Sequence, residues 1–264
     1  MAGVESRPPD EERRARLWSR IRRLASDEGV PVGVRHVGLT AAAVLGARET
    51  VVYQLVDGNR CEPVSVTGPL GDWSSEAEIT FGEGPALDCL RDEHPVLADD
   101  LARGGAARWP VLAPYALARG IAGIFAFPLV MGAIVVGCLE VLRPEPGTPS
   151  RDEVVDGLLL ADAAMLSLLR AEPLPAGADP FAEAVQARWA AVHRATGALS
   201  AQLRSDRATA FVRLRAHAYR TGRRLADVAA DVLAHRLSFH ADPTAEPDAG
   251  PEPDGEAGPG GGRG

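Results

Sequence analysis

The stretch that decides the reading of this chain begins at Val192-His193-Arg194-Ala195-Thr196-Gly197-Ala198-Leu199-Ser200. It breaks at Arg204-Ser205-Asp206 and resumes as Ala208-Thr209-Ala210-Phe211-Val212-Arg213-Leu214-Arg215-Ala216-His217-Ala218-Tyr219-Arg220. After Thr221-Gly222-Arg223-Arg224 it ends in Leu225-Ala226-Asp227-Val228-Ala229-Ala230-Asp231-Val232-Leu233. The spacing predicts three helices. Val185, Trp189, Val192, Ala195, Leu199 and Leu203 recur every three or four residues and form one apolar stripe. Phe211, Leu214 and Ala218 form a second stripe, and Leu225, Val228, Ala229, Val232 and Leu233 a third. Ser205 or Asp206 suits an N-cap, and Gly222 suits a helix stop. With connections this short the helices must be neighbours, so a compact three-helix unit is expected.

Charge sets the same region apart. Residues 182–240 hold ten arginines (188, 194, 204, 207, 213, 215, 220, 223, 224 and 236) against Glu183, Asp206, Asp227 and Asp231, in a chain of net charge −8. A basic island in an acidic protein points to a polyanionic partner. Arg213, His217 and Arg220 share one helical face. The chain has no lysine, so every phosphate contact falls to arginine, which also stacks on bases.

These residues resemble an ANTAR domain, the small helical RNA-binding module of bacterial transcription antitermination regulators. The resemblance rests on Ala195, Gly197 and Leu199, then Ala210-Phe211, Leu214-Arg215 and Ala218, then Leu225-Ala226-Asp227-Val228-Ala229. Where that family has Ala-Lys-Gly and Leu-Met, this chain has Ala195-Thr196-Gly197 and Leu199-Ser200. The resemblance implies that Arg194, Thr196, Gly197, Arg213, Arg215, Arg220, Arg223 and Arg224 bind RNA hairpin loops in nascent transcripts. Tyr219 offers either a stacking surface or a core ring. The alternative is a small-molecule or protein-interaction sensor whose ANTAR-like module no longer binds RNA.

Upstream, the pattern predicts helices over Asp10–Glu28 and Val37–Leu45 and strands over Thr50–Val56 and Glu62–Thr67, joined by a turn at Asp57-Gly58-Asn59. Gly68–Glu78 reads as a polar connection, followed by turn-to-helix chemistry at Gly82-Glu83-Gly84-Pro85. Pro95-Val96-Leu97 is extended, Trp109–Arg119 a short helix, and Gly123–Val130 with Ala133–Leu142 a hairpin around Met131-Gly132. Ser150 and Glu153 form a capping box for a helix to Arg170. The class is α+β: a sensor with a central antiparallel sheet and flanking helices, then a three-helix module. Phe81-Gly82-Glu83-Gly84-Pro85, Arg108-Trp109-Pro110 and Phe125-Ala126-Phe127-Pro128-Leu129, with Gly132, Gly137 and Leu139, resemble a GAF domain. Leu159–Ala164 fits its closing helix. The combination resembles actinobacterial antitermination regulators in which a GAF domain precedes ANTAR.

The expected layout is a disordered 1–13, a GAF-like sensor over 14–171, a proline-rich linker over 172–181, the ANTAR-like domain over 182–240 and a disordered acidic tail over 241–264. The tail carries six acids against Arg263 and reads first as a solubilising tail without a partner, with competition against RNA for the arginines as the alternative. The apolar run Ile121–Leu142 is broken by Pro128, Gly132, Gly137 and Glu140, which suits buried strands better than a membrane span. With no secretory pattern at the N-terminus, a cytoplasmic location and no membrane partner are expected. Cys61, Cys89 and Cys138 are far apart and odd in number, so a disulfide framework or cysteine zinc site is not supported. The six histidines are scattered, and neither a Gly-x-Ser-x-Gly elbow nor a phosphate loop is present. No enzyme, metal site or cofactor is expected. The signal sensed by the GAF-like domain is unknown. The helices flanking the sensor imply a homodimer by the same resemblance.

Overall fold

The structure is a computed structural model and describes residues 9–56, 60–170 and 179–239. The Asp57–Asn59 turn, the linker core at 171–178 and the acidic tail lie outside the described residues. Five strands make one antiparallel sheet: β1 (Glu49–Val56), β2 (Arg60–Val66), β3 (Val96–Ala98), β4 (Gly123–Met131) and β5 (Ile134–Arg143), in the order β2-β1-β5-β4-β3. The β4–β5 hairpin is the expected one, with Val130 opposite Val135 and Met131 opposite Ile134. β2 lies at an edge, and Pro63 sits in it beside a register shift at Val52/Tyr53, where the missing N–H costs the ladder least.

Alternation along the strands sends side chains to two cores. Val52, Phe125, Phe127, Leu129, Leu139 and Val141 pack under α1 (Pro9–Glu28), α2 (Val34–Val44) and α7 (Arg151–Leu169). Gly157 of α7 rides directly on Phe127, where a Cβ would come within 2.3 Å of the ring. The Ser150–Glu153 capping box is present. α1 packs on α2 and reaches α7 through Arg13–Asp152 and Arg14–Asp162.

On the other face Val51, Tyr53, Val66, Ile124, Ala126, Cys138 and Leu142 meet α3 (Pro69–Phe81), α4 (Pro85–Asp92) and α6 (Leu112–Leu117). A π-helical turn (Leu101–Gly105) and the short α5 (Ala106–Arg108) lead into α6. α3 corrects the sequence reading, which treated Gly68–Glu78 as a connection. Pro69 stands at the first helical position, Glu49 receives the Gly71 N–H at 2.6 Å, and Gly82 ends the helix in the left-handed region at φ 72°. The serines and acids that made the stretch look like a loop are divided between the faces of this helix.

α8 (Pro180–Leu203), α9 (Arg207–Thr221) and α10 (Leu225–Leu233) form the expected three-helix unit. Its core, including Val185, Val192, Ala195, Leu199, Leu214, Ala218, Leu225, Val228 and Val232, is continuous with the α3 side of the sheet. Among the described residues, no helix is long and apolar enough to cross a membrane.

Candidate nucleic-acid interface

Local chemistry sets the ends of these helices. Asp179 accepts the Ala182 N–H at 3.0 Å to start α8. Arg204 closes it in the left-handed region at φ 51°. Asp206, rather than Ser205, caps α9: it takes the Thr209 N–H at 2.7 Å and the Thr209 hydroxyl at 3.1 Å. Those bonds, the backbone one first, hold its carboxyl below the usual range. Gly222 ends α9 at φ 63°.

The predicted RNA-binding residues fall into separate places. Arg194, Arg220, Arg223 and Arg224 are exposed, and Gly197, Arg213 and Arg215 are half-buried. Thr196 is only 2 % exposed, and its hydroxyl donates to the Val192 carbonyl of its own helix at 2.8 Å. Its side chain is therefore a core residue and not a surface contact, which corrects its expected role. The hydroxyl sits in the bundle because position 196 lies beside Ala195 and Leu199 on the apolar stripe. Gly197 stands under Arg207, one of whose guanidinium nitrogens would be 3.7 Å from a Cβ there. Arg220 contacts His217 Nδ1 at 3.3 Å. Burial, then Arg220 and Arg223, push the His217 pKa down, so at pH 7 the ring is neutral and Nδ1 accepts. Arg223 pairs with Asp231 at 2.7 Å, and Arg236 meets the same carboxylate. Both arginines lower its pKa. Tyr219 is 51 % exposed, so its ring is available at the surface.

Arg224 faces the sheet domain. Its Nε donates to Glu76 at 2.5 Å and a terminal nitrogen reaches Asp72 at 3.1 Å. Burial alone would lower its pKa; Glu76 and Asp72 outweigh that and leave it raised. Glu76 also accepts the Ala226 N–H at 2.9 Å, in the first turn of α10. Arg188 of α8 pairs with Asp72. His193 lies 2.9 Å from Glu62 of β2. One face of α3 thus grips the three-helix unit. Sequence reading missed this acidic face, although Asp72 and Glu76 stand four apart behind a Gly68-Pro69 start, which is a helix signal.

The opposite face of α3 enters the core of the sheet domain. Ser74 donates to Glu140 Oε1 at 3.1 Å and Tyr53 to Glu140 Oε2 at 2.8 Å. Glu78 accepts the Ala86 and Leu87 N–H groups at 3.0 and 3.4 Å, at the start of α4. Burial pushes both carboxyl pKa values up, that of Glu78 well above the ordinary range, with Glu140 adding to the effect. Burial thus favours the protonated form of both carboxyls. Elsewhere, a cleft of about 810 Å³ lies between the α1–α2 connection and the α7–α8 region, lined by Val34, Met165, Leu168, Glu28 and Asp179 among others. Among the described residues, no group of three or more His, Cys, Asp or Glu side chains could hold a metal ion.

An antiparallel-sheet domain thus grips an arginine-rich three-helix unit. The family model of the ANTAR domain matches residues 182–233. The chain is also similar to the GAF domain of an Acinetobacter phosphoenolpyruvate-protein phosphotransferase, with 12 % identity over 59 % of this chain and 94 % of that one, at a TM-score of 0.43. Similar too are a domain of a putative two-component sensor histidine kinase from Sinorhizobium meliloti (17 % identity, 51 % and 87 % covered, TM-score 0.41) and a GAF domain/HD domain protein from Geobacter sulfurreducens (19 %, 52 % and 92 %, TM-score 0.38). A comparison with curated proteins finds no match. The chain carries an ANTAR match on its last three helices, behind a sheet domain that resembles GAF domains.

Proposed function

We propose that the protein is a cytoplasmic, non-enzymatic, signal-responsive regulator that binds RNA hairpins through α8–α10 and promotes transcription antitermination, with the sheet domain as the sensor. The observation that carries this reading is the ANTAR match on a module with ten arginines over residues 182–240. Exposed Arg194, Arg204, Arg207 and Arg220 give it cations facing solvent. A homodimer built on the flanking helices α1 and α7 belongs to the same proposal. The test is a titration of labelled hairpin RNA with the full chain. Binding is expected to weaken linearly with the logarithm of salt concentration as phosphate contacts release counterions. Lack of binding at low salt would reject the RNA reading. The second reading, a sensor whose ANTAR-like module has lost RNA, is favoured by two observations: Thr196 is buried, and Arg188 and Arg224 are engaged by the sensor.

A further inference from the structure

Where α9 meets the sensor, an aromatic strip crosses the boundary between the two units. Tyr219 of α9 contacts Phe81 of α3 edge-on, with ring centres 5.9 Å apart. Phe81 contacts Tyr115 of α6 edge-on at 5.2 Å, and Tyr115 lies 4.7 Å from Trp73 of α3. The Arg119 guanidinium stacks 4.0 Å over Trp73 and 4.1 Å over Tyr115. At the other end Arg215, one turn before Tyr219, lies against Gly82, where a Cβ would be 3.3 Å from Nη1. Gly82 carries no side chain and holds a left-handed φ of 72°, which leaves room for the guanidinium over the C-terminal end of α3.

The strip is open to solvent. Tyr115 is 37 % and Tyr219 51 % exposed, whereas the third tyrosine of the chain, Tyr53, is fully buried. Among the described residues neither Arg119 nor Arg215 has an ion-pair partner, unlike Arg108, Arg188, Arg223 and Arg224. Glu83, the nearest acid in sequence to Phe81, is occupied by the Val111 and Leu112 N–H groups. Two exposed tyrosines flanked by two arginines without carboxylate partners suit unpaired bases and their phosphates: the rings stack, and the cations stack or pair.

We propose that the RNA surface continues from the three-helix unit onto the sensor, and that Tyr219 and Arg215 together with Tyr115 and Arg119 form one stacking platform for the unpaired bases of an RNA loop. This rests on the RNA-binding reading above. The grip of Asp72 and Glu76 on Arg188, Arg224 and the start of α10 then has a positive role: it holds α9 beside α6 and keeps the two halves of the platform in register.

The test is fluorescence anisotropy of a hairpin RNA with an unpaired loop, and of a fully paired RNA of the same stem, against the full chain. Tyr115→Ala/Arg119→Ala should weaken hairpin binding by about tenfold and paired RNA far less, since only unpaired bases can stack on the rings. Arg119→Gln alone, at an exposed position, tests the same surface without disturbing a ring, and should cost about threefold. Asp72→Asn/Glu76→Gln should also weaken the hairpin. Parental affinity in both the double variant and Arg119→Gln would overturn the platform while leaving the RNA reading intact. Tighter binding by Asp72→Asn/Glu76→Gln would overturn it in favour of a sensor that masks the module. Absence of any binding by the parent at low salt would remove both the RNA reading and the platform.

Discussion

The two faces of α3 put the same residue type to opposite uses. Glu76 and Glu78 are two residues apart. Glu76 points to the helical unit and meets Arg224 and the Ala226 N–H. Glu78 points into the sheet domain and sits near Glu140, with backbone N–H groups as its donors. At the boundary a carboxylate finds cations and joins two units. In the core it finds no cation, and burial raises its pKa well above the ordinary carboxylate range. The difference teaches that acidity along this helix is organised by its neighbours, not by its composition.

The largest expected effect comes from breaking the inner face. Glu140→Ala leaves the Tyr53 and Ser74 hydroxyls without their acceptor. It should destabilise the sensor by about 3 kcal/mol, since each orphaned buried group costs on the order of 1–3 kcal/mol. Urea unfolding followed by tryptophan fluorescence measures this; a change under 1 kcal/mol would mean the cluster is not formed.

A smaller effect is a pH slope with an unusual sign. Both folded-state carboxyl pKa values lie above the ordinary 4.5. The folded sensor therefore binds more protons than the unfolded chain once pH passes that value. Stability from this pair is fully present below about 4.5 and is lost as pH rises toward the folded values, by at most about 1.4 kcal/mol per pH unit for one shared proton. Glu78→Gln, which cannot ionise, should flatten the slope above about pH 4.5. An identical slope in the variant would place the proton elsewhere.

The outer face should give the smallest change in stability and the clearest change in cooperativity. Asp72→Asn/Glu76→Gln removes the charges facing Arg188 and Arg224, partly exposed pairs contributing on the order of 1 kcal/mol in all. The parent is expected to unfold in one transition, and calorimetry should show two, or a broader one, in the variant as the sheet domain and the three-helix unit uncouple. An unchanged single transition would show that the shared apolar core couples the units without the acids.

The strongly periodic segments were legible in the sequence. The stripes of α8, α9 and α10 became core through Val192, Leu199, Leu214, Val228 and Val232, and the β4–β5 hairpin turned where Met131-Gly132 predicted. α3 was not legible, because Gly68-Pro69 and a run of Asp, Ser and Glu read locally as a loop. Its helical identity depends on Glu49 at its start and on Trp73, Ala77 and Phe81 finding partners far away in sequence. The candidate surface was legible as an arginine count, not as a geometry. Thr196 went inside, Arg224 turned to the sensor, and the platform residues Tyr115 and Arg119 carried no signal in sequence.

The sequence by itself determined the helical periods, the caps, the basic island against an acidic background and the ANTAR resemblance, because each depends on residues within a few turns of one another. Only the tertiary structure decided which arginines face solvent, which glutamates have raised pKa values, and that rings from α3, α6 and α9 share one strip. Those outcomes depend on distances between groups separated by up to 152 residues, as between Asp72 and Arg224. Electrostatic energy and stacking depend on that spatial separation and on the water excluded between the groups, and neither quantity is written in local sequence.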